Sequence, residues 1–407
     1  MRRNKKQLYE TPSVGFVMQA MKPISRRAIE VSLEPFRLAL DLPKDVIRLS
    51  AGEPDFDTPD FIRVAAKRSI DEGFTHYGPA SGYEDLRKAV AEKLRRENGI
   101  TYDYAREIVI TPGSSSGIFF AMLTLLDPGD EVLVPDPAWF HYRTLTSLCG
   151  AQPVSVPVRF KDHAASLDLE ETKRRVTSKT KILILNSPSN PTGLMLSEEV
   201  LKEVSEFAEE HNLWVISDEV YEKIVYAGNT HVSPASLPGL KERTLTSNGF
   251  SKAYSMTGWR VGFMAGPPEI MEKVAALNGY ILLGPSSVSQ RAALIGLTDP
   301  RINATIKTMV DRFAKRREMV LEALDDLPGI KAYPPQGAFY TWIDITGTGM
   351  SSENFSAKLI EKEKVGLLPG SLFGELGKGH VRLAFSTGEE KLKEALERFR
   401  RFVLANR

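Results

Sequence analysis

This chain of 407 residues has one cysteine, no long apolar run and almost no net charge, and each shortage removes a class of protein. Cys149 has no partner for an intrachain disulfide, which points to a reducing compartment and hence to a cytoplasmic location. The longest apolar stretch, Ile118 to Leu126, is interrupted by Thr124 and is far too short to span a bilayer. Basic and acidic residues balance at 53 against 52, so no electrostatic footprint for nucleic acid or an anionic membrane is present. The six histidines are scattered, with no pair at helical metal-ligand spacing, and no metal site is expected. No apolar core of a signal peptide follows the basic start Arg2-Arg3-Asn4-Lys5-Lys6, which reads as a mobile tail.

What is present is a rhythm. Short apolar, β-branched runs at Ile108–Thr111, Val132–Val134, Ile182–Leu185, Leu213–Ser217, Thr244–Thr246 and Val261–Ala265 suit strands buried on both faces. Helical patterns such as Ser115–Leu126 and Glu198–His211 lie between them, so the middle of the chain predicts an α/β unit with a mostly parallel sheet. The last hundred residues instead carry long amphipathic helices, Ala304–Leu327 and Glu389–Val403, and two further strand candidates, Phe339–Ile345 and His380–Phe385. We therefore expect a large domain over 60–300, beside a smaller α+β domain built from 1–59 and 301–407.

Ligands of open α/β sheets bind beyond the carboxyl ends of the strands, and several suggestive residues fall there. Ile108–Thr111 runs into Pro112-Gly113-Ser114-Ser115-Ser116-Gly117; small residues before a helix can cradle an anion, or a serine can simply cap the helix. Ile182–Leu185 runs into Asn186-Ser187-Pro188-Ser189-Asn190-Pro191-Thr192-Gly193, which in isolation is also an ordinary Pro/Gly turn. Asp218 follows an apolar strand and could cap a helix or face a cofactor. The stretch Asn248-Gly249-Phe250-Ser251-Lys252-Ala253-Tyr254-Ser255-Met256-Thr257-Gly258-Trp259-Arg260 sets a lysine, which can form an imine, eight residues before an arginine, which can hold a phosphate.

Taken in order, from Gly52-Glu53-Pro54-Asp55-Phe56 to Arg382, these segments resemble the class I/II aminotransferases of the fold-type I pyridoxal-phosphate enzymes, and within them the bacterial and archaeal aspartate and aromatic subgroup. The resemblance implies a seven-stranded, mostly parallel sheet in the large domain and pyridoxal 5′-phosphate (PLP) as cofactor. It makes Lys252 the Schiff-base lysine and proton carrier, Asp218 the partner of the pyridine nitrogen, and Asn190 and Tyr221 the hydrogen-bond partners of the ring's 3′ oxygen. Trp139 would stack on the ring. Ser114, Ser115, Ser251 and Arg260 would hold the phosphate, although the hydroxyl that family members often carry three residues before the lysine is replaced here by Gly249. Tyr77 resembles the tyrosine that reaches the neighbouring subunit's phosphate, which implies a homodimer with shared active sites. Arg382 would grip the substrate carboxylate, with Gly52 and Asn190 beside it.

The implied activity is ping-pong transfer of an amino group from an L-amino acid (aspartate, aromatic or aliphatic) to 2-oxoglutarate. Some aspartate-selective relatives have a lysine where Ser115 stands, and others have an arginine in the segment that here reads Asn278-Gly279-Tyr280-Ile281-Leu282-Leu283-Gly284-Pro285. With both absent and Phe373 expected at the other wall, an aromatic or aliphatic side chain is favoured. A C–S β-lyase or an aminocyclopropane-carboxylate synthase-like lyase on the same fold is the alternative. A regulator with a winged helix-turn-helix is disfavoured, because fewer than 60 residues precede Gly52.

Overall fold

The computed structural model describes residues 24–406 apart from 30, 162, 163 and 227; the basic start, residues 2–6, lies outside the described residues. The strands in chain order are β1 (Ile47–Arg48), β2 (Ile108–Thr111), β3 (Glu131–Asp136), β4 (Gln152–Lys161), β5 (Ala164–Leu167), β6 (Thr180–Asn186), β7 (Trp214–Asp218), β8 (Thr244–Gly249), β9 (Gly262–Ala265), β10 (Lys331–Tyr333), β11 (Tyr340–Asp344), β12 (Val365–Gly366), β13 (Leu368–Pro369) and β14 (His380–Ala384). An eight-stranded sheet runs in the order β2-β9-β8-β7-β6-β3-β4-β5. Its centre, β8-β7-β6-β3-β4, is parallel, while β9 runs antiparallel between β2 and β8. Seven strands match the expectation; the eighth, β5, turns back on β4 as an antiparallel edge.

Every residue of β2, β8 and β9 is buried, as strands covered on both faces should be, although β8 (Thr-Leu-Thr-Ser-Asn-Gly) is mostly polar. Among the covering helices, Glu198–Glu210 begins at Ser197, whose hydroxyl accepts from the Val200 N–H, and buries Leu201, Val204, Phe207 and Ala208 along one stripe. The strand register decides where the site lies. Thr111 and Gly249 both pair with Gly262, so the end of β2, the end of β8 and the start of β9 meet at one edge. Asn186 pairs with Asp218 at that same carboxyl edge.

The smaller unit has the four-stranded sheet β10-β11-β14-β13, covered by helices that include Ile302–Leu324 and Glu389–Ala405. The N-terminal segment joins it through β1, which pairs with β12. Its core is one cluster around Phe313, Phe339, Phe355, Phe385 and Phe399.

Candidate active site

Between the two sheets opens a cleft of about 490 Å³. Eleven of the twelve residues singled out from the sequence line it: Gly52, Ser114, Ser115, Trp139, Asn190, Asp218, Tyr221, Ser251, Lys252, Arg260 and Arg382. Tyr77 does not. It is 83% exposed and lines a separate surface groove with Leu282, Leu283 and Pro285.

Lys252 sits on the turn after β8 and donates from Nζ to the Gly52 carbonyl at 2.7 Å. Burial pushes its amine down to about 8; Arg260 and Arg382 act in the same direction and Glu53 opposes them. Asp218, at the end of β7, is not a helix cap, because a turn and not a helix follows it. Burial raises its carboxyl to about 6 against the pull of the Tyr142 hydroxyl, which donates to Oδ2 at 2.8 Å.

The serine-rich turn is also not spent on capping. The cap of helix Ser114–Leu125 is Gly113, at φ +85° and without a side-chain bond, and the Ser114 and Ser115 hydroxyls have no partner among the described residues. Glycines make room around the Ser114 N–H: a Cβ on Gly262 would stand 2.8 Å from that nitrogen, and one on Gly113 would stand 2.6 Å from Arg260 Nη2. Arg260 itself adopts a left-handed conformation (φ 50°), donates to the Thr257 carbonyl at 3.0 Å and has no carboxylate partner among the described residues.

Arg382 projects from β14 and is 3% exposed. Nη1 donates to Asn190 Oδ1 at 2.9 Å and Nη2 to the Ser50 carbonyl, while Nε has no partner among the described residues. No carboxylate among the described residues reaches it, so the structural ion pair that an arginine in a strand suggests is not what holds it.

The cleft also contains residues that sequence reasoning missed. Tyr340 is buried in β11 and shares a 2.7 Å hydrogen bond with the Tyr221 hydroxyl; a Cβ at Gly52 would collide with its hydroxyl, so close packing by Tyr340 is one reason for a glycine there. Helix Glu34–Leu40 brings Phe36, Ala39 and Leu40 to the wall. Its only sequence signals were Pro35 at the first turn and a short apolar pattern. His141 stacks on Trp139 with ring centroids 3.8 Å apart. Phe373 was expected at the wall; instead it is fully buried, and Arg382 lies over its ring at 5.1 Å. Glu219, Glu222 and His231, unremarked in the sequence, bring ligand atoms within 4.8 Å of one another. Their charges are already matched: His231 meets Glu219 at 2.9 Å and Lys93 donates to Glu222.

The sequence matches the family described as aminotransferase class I and II over residues 44–399. The chain belongs to that family. It is 44% identical over 360 residues to an aspartate aminotransferase of Pyrococcus abyssi, covering 88% of this chain and 92% of that one. It is 41% identical over 383 residues to an aromatic-amino-acid aminotransferase of Thermococcus litoralis, covering 93% and 98%. A crystal structure of an aromatic aminotransferase from Pyrococcus horikoshii superposes with TM-score 0.86 at 43% identity, covering 90% of this chain and 98% of that one. The protein is thus a fold-type I, PLP-dependent aminotransferase. The donor set of its cleft fits that cofactor. A desolvated amine can meet an aldehyde, a buried carboxyl a ring nitrogen, and a glycine-lined cradle with Arg260 a phosphate.

Proposed function

We propose that this aminotransferase moves the amino group of an L-amino acid, aspartate or an aromatic or aliphatic one, to 2-oxoglutarate through the residues that line the cleft. The observation that carries this reading is the pairing of Arg382 and Lys252 in one cleft. A buried guanidinium without a carboxylate is costly unless a ligand supplies one, and its planar fork matches an α-carboxylate. Bound PLP supplies an aldehyde carbon that takes the amino group and a ring that draws electrons from the substrate Cα. Arg382 and Asn190 fix the carboxylate and so orient Cα toward Lys252. With its amine near 8, Lys252 is partly neutral at working pH and takes the proton from Cα through Nζ. Asp218, with Oδ2 engaged by Tyr142 and Oδ1 only by a long 3.4 Å bond from the Val220 N–H, offers Oδ1 to the ring nitrogen, while Tyr221, steadied by Tyr340, faces the 3′ oxygen. Ser114, Ser115, Ser251 and Arg260 hold the phosphate, and Trp139 covers the ring.

The wall formed by Phe36, Ala39, Leu40, Phe140 and Leu368 favours an apolar substrate side chain. Tyr77, Tyr280, Leu282 and Leu283 are all exposed, which supports a homodimer in which Tyr77 reaches the neighbouring phosphate. The single cysteine supports a cytoplasmic setting.

The test has two parts. Borohydride reduction of the PLP-loaded protein should place the adduct on Lys252, within the tryptic peptide Thr244–Arg260. Amino acids added without a keto acid should convert the visible band to the pyridoxamine form, and Lys252→Ala should slow that conversion at least about 10⁴-fold. Release of pyruvate or ammonia in place of the pyridoxamine form would decide for the lyase. Conversion driven by aspartate far better than by phenylalanine, tyrosine or leucine would overturn the apolar preference.

A further inference from the structure

We propose that His141 is a positioning residue for the cofactor, holding Trp139 in place by stacking on one face of its indole. The proposal rests on the reading above that Trp139 covers the PLP ring. His141 opens the helix His141–Leu148, two residues after Trp139, and both side chains line the cleft. The imidazole and indole centroids are 3.8 Å apart with planes 23° apart, whereas Tyr142 meets the same indole edge-on at 5.5 Å. Among the described residues no second ring stacks on Trp139, so one indole face is taken by His141 and no protein ring claims the other.

The surroundings suit a flat, uncharged spacer better than an acid or base. Phe36 meets the imidazole edge-on at 5.3 Å and Phe140 lies tilted against it at 4.9 Å. Nδ1 is buried and has no hydrogen-bond partner among the described residues, so none of them is poised at that nitrogen to stabilise an imidazolium. Burial pushes the ring down to about 4, and a position in the first turn of a helix disfavours the cation further. A neutral ring neither titrates at working pH nor pulls on the cofactor's phosphate. It fixes the tilt of the indole, and through it the plane the cofactor ring must occupy. Leucine or glutamine at 141 would fill space but leave the indole free to rock.

Cofactor affinity and the induced circular dichroism of the bound PLP test this directly, measured by titrating apoprotein with PLP and independent of turnover. His141→Leu should weaken PLP binding about 3- to 10-fold and lower the visible dichroism. His141→Phe, which keeps a flat ring, should restore both to within about twofold. In a Trp139→Leu background the His141→Leu change should have no further effect on affinity, because the stack it removes is already gone. An equal loss in both backgrounds overturns the proposal, as does a His141→Phe variant as weak as His141→Leu. His141→Gln serves as a second ring-free variant if the leucine form does not fold. Failure of the parent apoprotein to bind PLP would overturn the cofactor reading itself, whereas a normal parent with an unchanged His141→Leu variant would overturn only the stack.

Discussion

Two arginines of the smaller unit are buried almost equally, Arg316 to 1% exposure and Arg382 to 3%, yet their surroundings are opposite. Arg316, on helix Ile302–Leu324, forks both terminal nitrogens onto Asp55 at 2.7 and 2.9 Å. Arg382 is met by an amide oxygen and a backbone carbonyl, with no carboxylate among the described residues. A fold that only needed stability would complete both pairs or bury neither charge. A guanidinium held in shape but left uncompensated is a receptor for an anion from outside, and the difference between the two arginines separates structure from function within one unit.

The sharpest way to break this comparison is Arg382→Met. We expect kcat/KM for amino acids to fall about 10²- to 10³-fold, while the ligand-free protein melts no lower than the parent, since an uncompensated buried cation has been removed. A lower melting temperature with little change in kcat/KM would make Arg382 structural. Arg316→Met should do the reverse, with stability lost by about 1–3 kcal/mol in urea unfolding and kcat/KM held within a few-fold. Asp55 is about 29% exposed, so its stranded charge is partly solvated, and the loss is smaller than for a fully buried pair.

The smallest effect concerns pH. Burial raises Asp218 in the folded protein to about 6, above its unfolded value, so the folded state binds the extra proton and its stability is lost as pH rises from about 4 to 6. Apoprotein carrying Asp218→Asn should therefore melt above the parent at pH 7.5, and the gap should close toward pH 4. A gap independent of pH would mean that Asp218 is not the group that titrates.

The same contrast explains what the sequence could and could not reveal. Asp218 and Asn190 were legible because each ends or follows a strand with an unmistakable apolar run, β7 and β6, and the sheet delivers such positions to one edge; Lys252 and Arg260 were legible from their spacing on the turn between β8 and β9. The strand β4 was missed because Pro153 and Pro157 and its mixed polarity hide the pattern; it lies toward the edge of the sheet, where burial is incomplete. Helix Glu34–Leu40 buries no residue, so it has little apolar periodicity to read, and its contribution to the cleft emerges only from tertiary placement. Tyr142, Tyr340 and His141 were invisible for another reason. Their meaning lies in which neighbour they touch, and a tyrosine in a core segment looks the same whether or not an aspartate 76 residues away accepts its hydrogen bond.

The loop Asn190–Gly193 follows β6 of the large sheet, yet the Gly193 carbonyl accepts from the N–H groups of Gln336 and Gly337 at 2.8 and 2.9 Å, and a side chain at 193 would strike Pro335. Asn190 then holds Arg382 across the same seam. The order of residues along the chain and the working parts of the enzyme do not coincide. A fragment cut where one unit gives way to the next would carry away half of the carboxylate grip, and swapping the smaller unit for that of a relative would mean regrafting this loop as well.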